Sequence, residues 1–171
     1  MNAYRILFVL LLISGSSLAQ SPEQNLSKMG IVLPKPSSPI ANYVKYVQSG
    51  NLLFLSGHGP AKADGSYIIG KLGTDLTVTQ GADAAKLTGI HLLATLQAAV
   101  GDLSKVKRIV KVLGFVNGNH DFAEQPKVMN GFSDLMVAVF GEKGKHARSA
   151  IGTNSLPNNM AVEIEMVVEL Y

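Results

Sequence analysis

Apolar and acidic side chains alternate near the C-terminus of this 171-residue chain. Every second position carries an apolar residue, namely Val162, Ile164, Met166 and Val168. The positions between them are Glu163, Glu165, Val167 and Glu169. Because successive side chains of a strand point to opposite faces, a repeat of two residues indicates a strand with one buried face. The chain must therefore contain a sheet that another layer covers on one side.

Two helical patterns can supply the covering layer. The first begins with Thr77 and Gln80 at the spacing of a capping box, and Gly101 is its expected end. Its apolar residues recur at helical spacing, at Ala85, Ile90, Leu93, Leu96 and Val100. The second has an expected N-cap at Asp121 and an interruption at Pro126, and it ends at Gly141. Its apolar residues are Val128, Phe132, Leu135, Met136 and Val139.

The remaining β-prone segments complete the sheet. Segments 43–47 and 52–56 flank the turn residues Ser49-Gly50-Asn51 and predict a hairpin, and 105–118 is rich in β-branched residues. Segments 147–152 and 162–170 predict two more strands, joined by a turn. The predicted order is β-β-(β)-α-β-α-β-β, an α+β fold in which two helices pack on one face of a mixed sheet.

The N-terminus predicts export. Arg5 is followed by the eight-residue apolar run 6–13, with small residues at Ser17 and Ala19. This pattern is typical of a secretory signal peptide over 1–19. The run is too short for a membrane anchor, which needs about 20 apolar residues. We expect a periplasmic or secreted protein without a membrane segment after cleavage, an extended N-terminal arm over 20–38 and a single domain over 39–171.

Composition and motifs exclude several function classes. Loss of Arg5 with the signal peptide leaves 14 of the 15 Lys and Arg against 12 Asp and Glu, so no nucleic-acid partner is expected. The absence of cysteine excludes thiolate and disulfide chemistry. The four histidines have no metal-ligand spacing, and nucleotide-binding and serine-hydrolase motifs are absent, so neither a metal nor a cofactor is expected.

The residues leave the candidate chemistry open. Arg148 lies among small and apolar residues, where it is equally well interpreted as a solvated strand residue or as a bidentate ligand for a carboxylate or a phosphate. Glu163 and Glu165 fit a solvated strand face, although one of them could hold a water or move a proton. Packing, turn or helix-surface roles are the simpler interpretations of the other candidates, Tyr43, Ser56-Gly57 and Asn130.

The segment "ARSAIG…LP…VEIE", with Glu163 fifteen positions after Arg148, resembles the signature of the Rid/YjgF family. This is the family of reactive-intermediate deaminases once called L-PSP endoribonucleases. "NYVKYVQSGNLLFLSG" resembles its first hairpin and "GDLSKVKRIVKVLGFV" its middle strand. The resemblance runs from about Pro39 to the C-terminus. His58 stands where better-known members have Gln.

The resemblance implies a chorismate-mutase-like α+β fold and a homotrimer with pockets between adjacent subunits. It implies that Arg148 binds the substrate carboxylate and that Glu163 assists the water that hydrolyses a 2-imino or enamine acid to a 2-keto acid and ammonia. Tyr43, Ser56-Gly57 and Asn130 would line the pocket and bind this small carboxylate-bearing substrate. The alternative is a trimeric module that binds small carboxylates, or acts as a holdase, without catalysis. A ribonuclease is disfavoured by the near-balanced charge.

Overall fold

The computed structural model describes residues 20–36 and 41–171. The predicted signal peptide, 1–19, lies outside the described residues, as do residues 37–40 around the predicted boundary between arm and domain. Within the described ranges, no helix has both the length and the apolar character needed to cross a bilayer.

Five strands form one mixed sheet in the order β1-β2-β5-β3-β4. Strands β3 and β4 pair in parallel, and the other neighbours pair antiparallel. The hairpin between β1 and β2 turns at Gly50, whose φ of 59° suits glycine. The strands are β1 (Tyr46–Ser49), β2 (Leu52–His58), β3 (Val106–Asn117), β4 (Ala147–Thr153) and β5 (Val162–Leu170).

Three α-helices accompany the sheet. They are α1 (Pro22–Lys28), α2 (Val78–Val100) and α3 (Gln125–Phe140). The predicted capping box of α2 is confirmed, since the Thr77 side chain accepts from the Gln80 amide and the Gln80 side chain accepts from the Thr77 amide. Short 3₁₀ turns lie at Leu103–Lys105, Gly141–Gly144 and Pro157–Asn159.

The core lies between the sheet and the layer formed by α2 and α3. The apolar positions of β5 are almost fully buried, at 0–1% exposure, which confirms the alternation predicted for this strand. Leu92, Leu96 and Phe132 are fully buried on the helix side. Most strand side chains on the opposite sheet face stay partly or fully exposed, among them Phe54 and Ile151. The sequence-based prediction of an α+β sheet with helices on one face is therefore confirmed.

Glycines let α2 and α3 approach closely. A Cβ at Gly131 of α3 would overlap the backbone carbonyl of Ala82 in α2. Gly81 and Gly89 of α2 leave room for side chains of α3, and a Cβ at Gly89 would lie 2.9 Å from Leu135. This close contact sets the position of α3 above the sheet.

Three local expectations need correction. The predicted arm contains α1, because Pro22 occupies a first-turn position and Ser21 with Gln24 forms a capping box, while Leu26 is buried. α3 begins at Gln125 rather than near Asp121, so its proline lies in the first turn, where no helical hydrogen bond is lost.

The third correction concerns the first strands. β1 begins at Tyr46 instead of Tyr43. Between β2 and α2 the chain forms isolated bridges, such as Ala61 with Tyr67, and no further strand. The glycines at 65, 70 and 73 all have positive φ there, which favours turns over an extended ladder.

Gly131→Ala should destabilise the protein by about 1–3 kcal/mol, although alanine is the better helix former, because the new methyl group meets backbone that cannot rotate away. Denaturant unfolding at fixed protomer concentration measures the effect. Asp134→Ala, at an exposed position of the same helix, is the control. Equal stability of the two variants would contradict a tight α2–α3 contact.

Candidate functional site

A cleft of about 210 Å³ opens beside the end of β2. β5 contributes Glu163, the segment before β1 contributes Tyr43 and Lys45, and the 3₁₀ turn before β5 contributes Asn158. The other lining residues are Gly57, His58, Gly59, Ala61, Tyr67, His91, Pro157 and Met160. The fold therefore gathers polar groups from distant parts of the chain into one small space.

The Glu163 carboxylate points towards Gly57. A Cβ on Gly57 would overlap the carboxylate oxygen Oε1, so only glycine leaves this space open. The β2–β5 register is irregular between Leu55 and His58, which shifts Gly57 relative to β5. Burial and the nearby Glu165 raise the pKa of Glu163 above the usual value for glutamate. A carboxylate with a raised pKa is better suited to accept a proton near neutral pH.

Ser56 shapes the cleft from outside it. Its hydroxyl donates to the Val44 carbonyl at 2.7 Å, and its amide donates to the Lys45 carbonyl at 2.9 Å. These bonds hold the segment that carries Tyr43 and Lys45 against β2. Ser56 is not among the residues that line the cleft, so the structure places it behind the site, whereas Tyr43 and Gly57 lie in the site.

Arg148 forms a second cluster, with α3. Its Nη1 donates to Asn130 Oδ1 at 3.1 Å and to Ser133 Oγ at 2.9 Å, and its Nη2 donates to the Pro126 carbonyl at 3.3 Å. The two predicted residues Arg148 and Asn130 are therefore in direct contact. The guanidinium Nε–H and one N–H of Nη2 make no hydrogen bond within the described ranges, so they remain available to a ligand.

Ser133 and His146 support Arg148, and neither is a candidate in the sequence analysis. The Gly144 carbonyl can only accept, so His146 Nδ1 donates to it at 2.7 Å. His146 Nε2 then accepts from the Ser133 hydroxyl at 3.1 Å, which aims the oxygen lone pairs of Ser133 at Arg148. Burial lowers the pKa of His146 and favours this neutral form. The i,i+3 spacing of Asn130 and Ser133 on one helix face is the sequence signal for this pair.

The two clusters are separate within one chain. Glu163 is paired in the sheet with Phe115 of β3, and Arg148 with Val112 of the same strand. Because Val112 and Phe115 are three residues apart, their side chains point to opposite sheet faces. Arg148 thus faces α3, while Glu163 faces the uncovered side, with β3 between their strands. No single chain joins them in one pocket.

No metal centre is evident in the described ranges, where no three His, Asp or Glu side chains converge. The charged groups of the two clusters are the Arg148 guanidinium, the Glu163 carboxylate and the Lys45 ammonium.

A family described as "YjgF/chorismate mutase-like, putative endoribonuclease" matches residues 23–170. The chain belongs to this family. The chain is 48% identical over 147 residues to protein TCP17 of Trypanosoma cruzi, covering 85% of this chain and 92% of the relative. It is 30% identical over 139 residues to a 2-iminobutanoate/2-iminopropanoate deaminase of Dermatophagoides farinae, covering 81% and 93%.

A solved structure of the protein Atu1372 from Agrobacterium tumefaciens superposes with a TM-score of 0.81. The two are 43% identical, and the match covers 88% of this chain and 94% of the other. The chorismate-mutase-like fold and the Rid/YjgF family are therefore confirmed.

His58 connects β2 to α2. Its Nδ1 donates to the Ser56 carbonyl at 2.7 Å, so its Nε2 accepts from the Thr95 hydroxyl at 2.8 Å. Desolvation lowers the pKa of this 7%-exposed ring from 6.5 to about 4, and Lys45 and His91 add to the shift. His58 is therefore neutral at pH 7, and its role is structural, as the acceptor of a hydrogen bond from Thr95.

The buried His58 should make stability fall as pH decreases from 6.5 to 4. In that window the unfolded chain binds a proton that the folded ring cannot accept, so full stability is present above 6.5. At pH 5 the penalty is about 2 kcal/mol. His58→Gln should still accept from the Thr95 hydroxyl through Oε1 but does not titrate, so it should remove this part of the pH dependence, measured by urea unfolding at pH 7.5 and 5 at fixed protomer concentration. An identical pH slope in both proteins would contradict this assignment.

Proposed function

We propose that the protein is an exported hydrolase that converts 2-imino or enamine carboxylic acids to 2-keto acids and ammonia in a homotrimer. The observation that carries the proposal is the geometry of the two clusters. In the described residues, two N–H groups of Arg148 and the carboxylate of Glu163 make no hydrogen bond. The two clusters lie on opposite sheet faces of one chain, so a pocket that contains both residues needs Arg148 from one subunit and Glu163 from another. The named activity of the Dermatophagoides farinae relative supports the same chemistry.

The uncovered sheet face supports association with further copies of the chain. Phe54, Val47 and Ile151 are 44%, 56% and 46% exposed, and they lie on or beside the face that carries Glu163. An apolar sheet face of this kind is unfavourable in water and is typical of an interface. In the proposed trimer this face packs on a neighbour, and the cleft with Glu163 meets the Arg148 cluster of that neighbour.

Arg148 binds the substrate carboxylate in this proposal. Asn130, Ser133 and the Pro126 carbonyl hold the guanidinium, so its two remaining N–H groups have a defined direction. A planar fork matches the two oxygens of a carboxylate, and partial burial at an interface strengthens the attraction. The substrate is thereby positioned with its C2 carbon towards the Glu163 cleft.

Glu163 acts on the water. Its carboxylate takes a proton from the water as the water oxygen forms a bond to the C2 carbon of the protonated imine, and the electrons of the C=N double bond move to the nitrogen, which becomes a neutral amine. The protonated Glu163 returns its proton to this amine, and its carboxylate then takes the proton of the new hydroxyl group as the C–N bond breaks, so ammonia and the 2-keto acid leave and Glu163 releases the proton to solvent. Because the carboxylate form starts the reaction, activity should fall as pH drops through the raised pKa of Glu163.

Export completes the proposal, based on the pattern of residues 1–19. A protein without cysteine needs no oxidative folding outside the cytosol. Its stability would come from the core and from subunit association.

Arg148→Ala should lower kcat/KM for 2-imino acids by about 100-fold, because a charged hydrogen-bond pair is lost. An amino-acid oxidase supplies the imine and ammonia release is measured, with the buffer rate subtracted. Arg148→Lys should recover only part of the activity, since a point charge replaces the fork. Equal inactivity of wild type and Arg148→Ala on a broad panel would exclude the deaminase. Arg148-dependent thermal stabilisation by 2-ketobutanoate without turnover would indicate the carboxylate-binding module instead.

Mixed trimers test whether the site is shared. Arg148→Ala and Glu163→Gln should each be nearly inactive alone, whereas co-refolding them in equal amounts should restore about a quarter of the wild-type activity, because some pockets then receive both native residues. Size-exclusion chromatography with light scattering verifies the trimer. Absence of recovery in mixed trimers that have formed would contradict a site built from two subunits.

A further inference from the structure

Lys45 differs from its surroundings in the exposed segment that leads into the first hairpin. It is the one partly buried residue of 41–50, where all the others are exposed. Its carbonyl accepts from the Ser56 amide, so its backbone is held against β2. Its Nζ lies 5.8 Å from the centre of the Tyr43 ring, and the residue lines the same cleft as Glu163. The ammonium is therefore placed at the cleft by backbone bonds and by an aromatic face.

This ammonium has no carboxylate partner in the described part of the chain. The ion pairs found there involve Glu124, Glu142 and Glu169, and none includes Lys45 or Glu163. The raised pKa of Glu163 follows from burial and from Glu165, so Lys45 does not neutralise that carboxylate. A cation held at a cleft with no carboxylate partner among the described residues favours an anionic ligand, because the ligand supplies the missing counter-charge and accepts hydrogen bonds from the ammonium.

Among the residues that line the cleft, Lys45 is the one Lys or Arg. His58 is neutral, and the imidazole Nε2 of His91 already donates to the Ala61 carbonyl at 2.8 Å. Tyr43 and Tyr67 present rings and hydroxyls, and Glu163 repels an anion in its own vicinity. Within one chain, the Lys45 side of the cleft is thus the position for a negative group.

We propose that Lys45 determines specificity for substrates with a second anionic group, so the preferred substrates are short dicarboxylic 2-imino acids. The inference rests on the proposed function, in which Arg148 of a neighbouring subunit binds the carboxylate next to the reacting carbon. Lys45 binds the carboxylate at the far end of the side chain. The cleft volume of about 210 Å³ suits a substrate of four or five carbons rather than a bulky one.

A matched pair of keto acids tests binding without turnover. 2-Oxoglutarate and 2-oxopentanoate both have five carbons and differ at the end of the chain, which is a carboxylate in one and a methyl group in the other. By calorimetry, the wild-type protein should bind 2-oxoglutarate at least about tenfold more tightly, as expected for one added charged hydrogen bond. Lys45→Gln should remove this difference and leave the affinity for 2-oxopentanoate within about twofold. Lys62→Gln removes the same charge at an exposed position outside the cleft and is the control.

Turnover is then measured on the imines of glutamate and norvaline, made by suitable oxidases. Lys45→Gln should lower kcat/KM about tenfold or more for the acidic imine only. An unchanged preference in Lys45→Gln, or an equal loss on both imines and both keto acids, would overturn the role of Lys45. Lys45-dependent binding of 2-oxoglutarate without any ammonia release would contradict the proposed deaminase activity and support the dicarboxylate site. Deamination without a Lys45-dependent preference would support the deaminase and overturn the dicarboxylate site.

Discussion

Burial of one sheet face under α2 and α3 is the constraint on which the site depends. The buried positions of β5 must face the helices, so Glu163, one residue out of phase, must face the other way. The same alternation on β4 directs Arg148 towards α3. The hydrophobic core thus decides on which side of the sheet each charged group lies. It also leaves an apolar sheet face uncovered, and both proposed halves of the pocket depend on what covers that face.

Small residues and neutral histidines then refine the positions of the charged groups. Gly57 makes room for the Glu163 carboxylate. Gly131 brings α3 close to α2, and this contact sets the distance between the sheet and the neighbouring Asn130. His146 orients the Ser133 hydroxyl towards Arg148, and His58 holds the end of β2 against Thr95. Both histidines have lowered pKa values because they are desolvated, so they act as hydrogen-bonding groups without charge. The charged side chains of the proposed site are therefore those of Arg148, Glu163 and Lys45.

Strong periodicity in the sequence predicted the elements that are most buried. β5 and α2 were predictable because both repeat apolar residues at the period of their structure. The start of α3 and the helix in the arm were not, since proline is compatible both with a break and with the first turn of a helix, and only the surrounding contacts distinguish them. In the arm, the Asn25 side chain donates to the Val139 carbonyl, a contact 114 residues away in sequence.

The sequence by itself determined the fold class, because side-chain period is a local property of the chain. The family was indicated by the resemblance of the segment with Arg148 and Glu163 to the family signature. The residue types left Arg148 open between a solvated strand position and a carboxylate ligand. Only the tertiary structure decided that Arg148 contacts Asn130 and Ser133, that Ser56 lies behind the cleft, and that Lys45 lies in it with no carboxylate partner among residues 20–36 and 41–171. These facts depend on sheet order and helix packing, which bring together residues far apart in sequence.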